Sequence, residues 1–520
     1  MADRLVSELT EKTALEATDE LYLEAGLNGR KMSVTNFGDT LPVTPTGATT
    51  ARTLADRFSD VINVLDYGAD PTGATDSSTA INLAFAAARA AIKTGFSPDN
   101  LLTAVVYFPP GVYRVDSPIN ATLLDEHGWS ISGYGAALDG HTTGKAVLDL
   151  LGSRFGSVQG LTIYGDSTDS PKFGIQCGRY NTDPADLISF ENIDANGTFT
   201  SGTFYNYAGE GVHHQTCRYT NEHSSLSSYA FIQDGTNDFG LASDYVTITA
   251  AAGTAASFNE NTALNCDFRK RVSGPAIYLR HTAHHEFRRC YGVSVDDVVV
   301  DIDSDSFGQE ALHLDIHCET APDLLACVRF QGFATPTIRG FTFIDHAPQA
   351  KNEIFLSDAS ITTVTIIKFD CRIANLQVIP SQKIFNDKSK FKIYGGTMFV
   401  RDASILTNVT DHSGVIITDN RQDGVYGPGT VLIFDETNQN LAVKGEIRTY
   451  DAPASIVIGT NMAPSTSNAC LLGSGYIGVA DGITAPAAES GMAKIYVDTA
   501  DGDLKIKFGD GTVKTIVIDT

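Results

Sequence analysis

The densest regular array of titratable side chains is LHLDIHC, residues 312–318. Alternate residues of an extended strand point to opposite faces. Leu312, Leu314, Ile316 and Cys318 therefore share one face, and His313, Asp315 and His317 share the other. Neighbours on one face stand about 6.5–7 Å apart at Cα. One repeat earlier, HEFRRC gives Glu286 and Arg288 the same outward phase. A carboxylate beside histidine or arginine can act as general acid, general base or oxyanion partner. Asp315, His313 and Glu286 are thus candidate catalytic groups, with Arg288 and His317 as candidate substrate contacts. A solvated face or a subunit interface would produce the same pattern. His-x-Asp-x-His is geometrically able to hold a metal, but no further ligand accompanies it, so neither metal nor cofactor is expected.

A second row is VVVDIDSD. Val298, Val300 and Ile302 alternate with Asp301 and Asp303, whose spacing overlaps the about 6.5–9.5 Å between the carboxylates of inverting glycosidases. A solvated acidic strip is the alternative. The third candidate is aromatic. Tyrosines crowd residues 160–230, and Tyr205 and Tyr207, in the polar segment TSGTFYNYAGEG, are candidate sugar platforms as well as candidates for ordinary packing.

These rows need a scaffold that repeats. AIYLRH at 276, VVVDID at 298, LACVRF at 325, EIFLSD at 353 and KIFND at 383 recur every 22 to 30 residues. A second series, HEFRRC at 285, LHLDIHC at 312, IRGFTFID at 338, IIKFDCRI at 366 and KFKIYGG at 390, interleaves at 24 to 28. Two interleaved strand series with one period predict the coils of a parallel solenoid, each burying its apolar face on the next. A propeller would need longer antiparallel repeats.

The solenoid is expected over residues 61–400, with a linker and short helix at 41–60. Residues 1–40 read as a small β unit, with LYLEAG and RKMSV as strands. Residues 401–520 read as a further β domain, whose tail AKIYVDTADGDLKIKFGDGTVKTIVID predicts three strands joined by Asp-Gly turns. At the front, VINVLDYGA is a short strand, and Asp76, Ser77 and Ser78 offer caps to a helix whose Ile81, Phe85 and Ala88 form one apolar face. Strand, helix and the Pro109-Pro110-Gly111 turn together suit a cap over an open sheet end, or a small α/β domain.

Composition narrows the partners. A net charge of −25 opposes nucleic acid, anionic lipid and strongly acidic polymers. No run reaches membrane-spanning length and no signal-peptide core opens the chain, so synthesis in a cytoplasm is expected. The eight cysteines include no C-x-x-C pair and are expected as buried free thiols.

VINVLDYGADPTGATDSSTAIN followed by VVYFPPGVYRV resembles the start of the pectate-lyase-like right-handed β-helix of bacteriophage tailspikes and tail fibres. RTLADRFSDVINV, just before it, resembles the join between a virion-attachment module and that β-helix. The resemblance implies a homotrimer held in the virion tail. Residues 1–40 would bind tail or baseplate proteins, and the chain would recognise a host-surface polysaccharide. It leaves depolymerase activity, by hydrolysis or elimination, open. Neither the Gly-His-Gly segment of polygalacturonases nor the Arg-x-Pro-x-x-Arg segment of classical pectate lyases is present. Two other readings stand beside this one: a structural tail component without glycan activity, and a cellular polysaccharide lyase or hydrolase.

Overall fold

A computed structural model describes residues 49–53, 56–57, 60–90, 102–120, 128–178, 187–235, 239–240, 260–280, 284–304, 311–320, 325–332, 487–488, 490 and 493–517, with strand backbones outside these ranges. The chain divides into two compact units, Met1–Gln439 and Asn440–Thr520. The first is a parallel β-solenoid with two long sheets.

In the second of these sheets, ten described strands follow one another in chain order. Ile119–Asn120, Ala146–Leu151, Phe173–Gly178, Gly202–Tyr207 and Tyr229–Asp234 lead into Ile277–Arg280, Val298–Ser304, Ala326–Gly332, Glu353–Ser357 and Lys383–Phe385. Every neighbouring pair is parallel. The five segments of the first repeat series thus stack as the solenoid requires. The second series falls largely in the other long sheet, where His284–Ser294, Ala311–Thr320, Phe341–Asp345 and Phe369–Ile373 pair in parallel. KFKIYGG departs from this. Lys390–Ile393 joins a separate four-stranded sheet, and Gly396–Val400 takes its rung in the long one.

In the middle coils, each rung of the first sheet has two arms hinged at one residue of positive φ. These hinges are Gly160, Asn192, Thr216, Asn265 and Arg289, at φ from 52° to 69°. A non-glycine residue there costs roughly 1–2 kcal/mol. A hydrogen bond to the next coil offsets the cost: Asn192 N–H donates to Gln215 O at 3.0 Å, Thr216 to Leu264 O at 2.9 Å and Asn265 to Arg288 O at 3.0 Å.

The solenoid's end is closed as the front motif suggested. Ser78–Ala90 is an α-helix that buries Ile81, Ala84, Phe85 and Ala88. Its Asn82 Nδ2 donates to Pro118 O at 3.1 Å and its Oδ1 accepts Asn120 N–H at 2.8 Å, satisfying the edge strand Ile119–Asn120. Between the sheets lies an aromatic stack in which Phe204 and Phe231 lie 5.0 Å apart and Phe231 and Phe268 4.9 Å apart. The described cysteines are buried free thiols. At the N-terminus, Glu20–Leu23 and Arg30–Ser33 pair antiparallel. In the second unit, Lys494–Val497, Leu504–Lys507 and Val513–Val517 form an antiparallel three-stranded sheet with positive-φ glycines at both turns, Gly502 and Gly511.

Candidate functional site

The strand Ala311–Thr320 runs straight, so its alternation survives intact. Leu312, Leu314, Ile316 and Cys318 are buried, and His313, Asp315 and His317 lie part-exposed on the outside. Glu286 sits in register with His313. Burial holds the His313 imidazole below its ordinary pKa despite Glu286 and Asp315. Arg288 and Glu286 pair at 2.8 Å, both well exposed. Between Phe287 and Cys290 the register shifts, so Arg288 and Arg289 together oppose Asp315. Asp315 Oδ2 accepts the Arg289 N–H at 3.1 Å. The carboxylate thus takes the place of the carbonyl that serves the hinge in earlier coils. His317 leans on the Tyr291 ring at 5.7 Å, and the Arg269 guanidinium, anchored by Asp267, lies 5.3 Å from the centre of the same ring. The structure therefore brings Glu286, Arg288, His313, Asp315 and His317 onto one face, with Asp315 serving the hinge and Arg288 closed on Glu286.

The outer face of the second sheet is different. Asp301 was expected outward in an open row with Asp303; it does point outward, yet it is wholly buried. Arg329, its register partner on the next coil, binds it through Nε at 3.1 Å and through Nη2, and reaches Asp297 through Nη1 at 2.7 Å. Burial lifts Asp301 to about 6 against the pull of Arg329. Asp303 keeps 17% of its side chain exposed. It accepts the Tyr278 hydroxyl at 3.0 Å and lies 3.6 Å from Arg280 Nε.

Tyr205 and Tyr207 belong to the same covered face, where they serve ordinary packing, the second of the two roles the sequence offered them. Tyr205 is fully buried, stacked on Phe173 at 4.6 Å, and Tyr207 is 4% exposed. Phe239 packs against Tyr205, Tyr229 and Tyr278 at 5.9, 5.6 and 5.2 Å, and Lys172 Nζ holds the adjoining Gly240 carbonyl at 2.6 Å.

Asp234 was not singled out in the sequence. It is buried, 3.4 Å from the Tyr205 hydroxyl. Register aligns Asp234 with Arg280, and Arg280 with Asp303. Two carboxylates therefore flank one guanidinium on three successive strands. Two steps of about 4.8 Å separate their backbones by roughly 10 Å, close to the spacing of an inverting carboxyl pair. The signal available in sequence was the shared last position of YAFIQD, IYLR and VVVDID, which only the register makes meaningful.

Just beyond the first-sheet strands Gly128–Gly140 and Gly156–Gly165, His141, Asp166 and Asp169 each bring a ligand atom within 4.8 Å of the others. His141 already meets Asp139 at 3.2 Å and Asp169 at 3.5 Å, so polar pairing accounts for this cluster.

Residues 61–290 match the family described as rhamnogalacturonase A/epimerase, pectate lyase-like. No curated protein sequence matches the chain. Among solved structures the chain is similar to ORF18 of Geobacillus virus E2, at 12% identity and TM-score 0.41, covering 97% of this chain and 94% of that one. It is also similar to the gp42 tailspike of Acinetobacter phage vb_AbaP_AS12, at 11% identity and TM-score 0.41 over 88% and 81% of the two chains. A mutant tailspike of E. coli bacteriophage HK620 in complex with a pentasaccharide matches at 9% identity and TM-score 0.38 over 74% and 85%. Nothing about this chain's chemistry follows from likeness at these identities.

Proposed function

We propose that the chain is a tailspike-type protein that binds a host-surface glycan and hydrolyses it. The observation that carries the reading is the row Asp234, Arg280 and Asp303 on three successive strands, of which Arg280 and Asp303 keep part of their side chains exposed. Hydrolysis through a carboxyl pair needs one group to take a proton from water and another to protonate the leaving oxygen. The sequence resemblance over residues 61–115 supports the tail-protein setting, and the family match over 61–290 supports a pectate-lyase-like fold.

The test is release of reducing ends from purified host-surface polysaccharide. Asp303→Asn is expected to lower cleavage by about 10²–10⁴ while leaving binding in place. A wild-type chain that neither binds nor cleaves such polysaccharides sinks the reading.

The working form in this reading is a homotrimer carried on the tail through residues 1–40. Ile495, Val513, Ile516 and Val517 of the C-terminal sheet are each 42–56% exposed, apolar surface that chain association would cover. Sedimentation at micromolar concentration is expected to show a trimer, and a monomer there contradicts this part of the proposal.

A further inference from the structure

Resting on the glycan-binding reading above, we infer that the outer face of the first sheet carries a separate sugar-anchoring site. In it, Tyr134 and Tyr164 take the apolar faces of uncharged pyranose rings in the surface glycan. Among the described tyrosines these two alone are exposed, at 51% and 44%. They stand on the strands Gly128–Gly140 and Gly156–Gly165, not on the sheet that Phe239 covers.

The fold holds Tyr134 in place. Its ring lies across Gly160, the first residue of the hinge column. A Cβ at Gly160 would stand 2.5 Å from Cγ and Cδ1 of Tyr134 and 2.8 Å from Cδ2. The same hinge position is filled in later coils by Asn192, Thr216, Asn265 and Arg289, so the backbone turn itself does not demand glycine. The bare position is what lets the ring lie down. One face of the ring is thus seated on backbone and the other meets solvent. Its hydroxyl accepts Asn192 Nδ2 at 3.2 Å, which fixes the tilt. An aromatic ring held before contact gives up little conformational freedom on binding.

Tyr164 follows Gly160 by four residues on the same strand, about 13 Å at a rise of about 3.3 Å per residue. That distance exceeds one pyranose ring, so the pair reads an oligosaccharide laid across the hinge. Ala137 and Thr162, in register on the arm between them, keep its floor low. Each tyrosine also has a carboxamide at hand on the coil beyond. Asn192 is bonded to Tyr134, and Asn196 lies in register with Tyr164. A carboxamide both donates to and accepts from sugar hydroxyls. The C–H groups on a pyranose face pack against the negative face of an aromatic ring. Exposed rings with a few fixed amide groups therefore match the chemistry of an uncharged sugar chain.

The test offers the full-length chain three uncharged hexasaccharides, of glucose, of galactose and of N-acetylglucosamine, and follows them by saturation-transfer NMR. At least one is expected to bind, with saturation strongest on its ring C–H protons. Tyr134→Ala and Tyr164→Ala are each expected to weaken that binding roughly three- to tenfold. Tyr134→Phe, which keeps the ring, should retain most of the affinity. Gly160→Ala keeps both tyrosines but unseats Tyr134, and should lose as much as Tyr134→Ala. Thermal unfolding of each variant checks the fold, and Tyr164→Ala reads the site even where Tyr134→Ala loosens the hinge. Unchanged affinity in Tyr164→Ala, or in a folded Tyr134→Ala, overturns the inference and leaves glycan binding standing. So does a wild-type chain that takes none of the three hexasaccharides yet releases reducing ends from host-surface polysaccharide. A wild-type chain that neither binds nor cleaves any of these sinks the underlying reading as well.

Discussion

On the first sheet the outward row of Glu286, Arg288, His313 and His317 meets solvent, and its ion pair is well exposed on both sides. On the second sheet the outward row is itself a core. Tyr205, Ile232 and Asp301 are fully buried, and Phe239 lies across the tyrosines. Both rows obey the same two-residue alternation. What separates them is the third layer, which turns one outward face into a low-dielectric interior where charges interact strongly and titrate abnormally. The open row has the denser collection of titratable groups, yet the covered row has the conditions under which carboxylates become useful acids.

The widest separation between the two rows should appear in stability. Arg329→Ala leaves Asp297 and Asp301 without their shared cation, and breaking a buried pair in this way typically costs about 3–5 kcal/mol. Glu286→Ala removes an exposed pair, for which about 0.2–1 kcal/mol is usual. Denaturant or thermal unfolding of the two variants measures the gap directly. Equal losses would mean that the second face is wetter than its burial indicates.

Much of the solenoid was legible because its rule is local. Period-two alternation placed Leu312, Leu314, Ile316 and Cys318 inside, since Ala311–Thr320 has no hinge to break the phase. The burial of Asp301 was not legible, because it depends on Arg329 arriving in register from the next coil and on a covering layer that includes Phe239, a residue remote from the strand. The hinge column was hidden for another reason. Gly160, Asn192 and Asn265 are types that tolerate positive φ, but Thr216 and Arg289 are not, so residue type announces only part of the column. That column is what assigns Asp315 a backbone partner, a role that a reading by side-chain chemistry alone passes over.

The two faces should also answer acid in opposite senses. His285 points inward beneath Glu286, and burial lowers it to about 3. Its unfolded value is about 6.5, so between pH 3 and 6.5 the unfolded chain binds the extra proton. This group's contribution is therefore full above pH 6.5 and is lost as pH falls toward 3. Asp301 behaves in reverse. Raised to about 6, it binds a proton in the folded chain that the unfolded chain releases near 3.8. Its contribution is full below pH 3.8 and is lost as pH rises through 6. Each slope is limited to about 1.4 kcal/mol per pH unit, and between roughly pH 4 and 6 the two oppose one another in the wild-type chain. His285→Gln should remove the first, so that the variant's stability relative to wild type improves as pH is lowered across that window. Asp301→Asn carries a baseline loss from the broken pair, but its stability relative to wild type should improve as pH is raised. Unfolding free energies of the three proteins across the window give both differences. Parallel curves for wild type and His285→Gln would show that the imidazole titrates normally and that solvent reaches the inside of the first sheet.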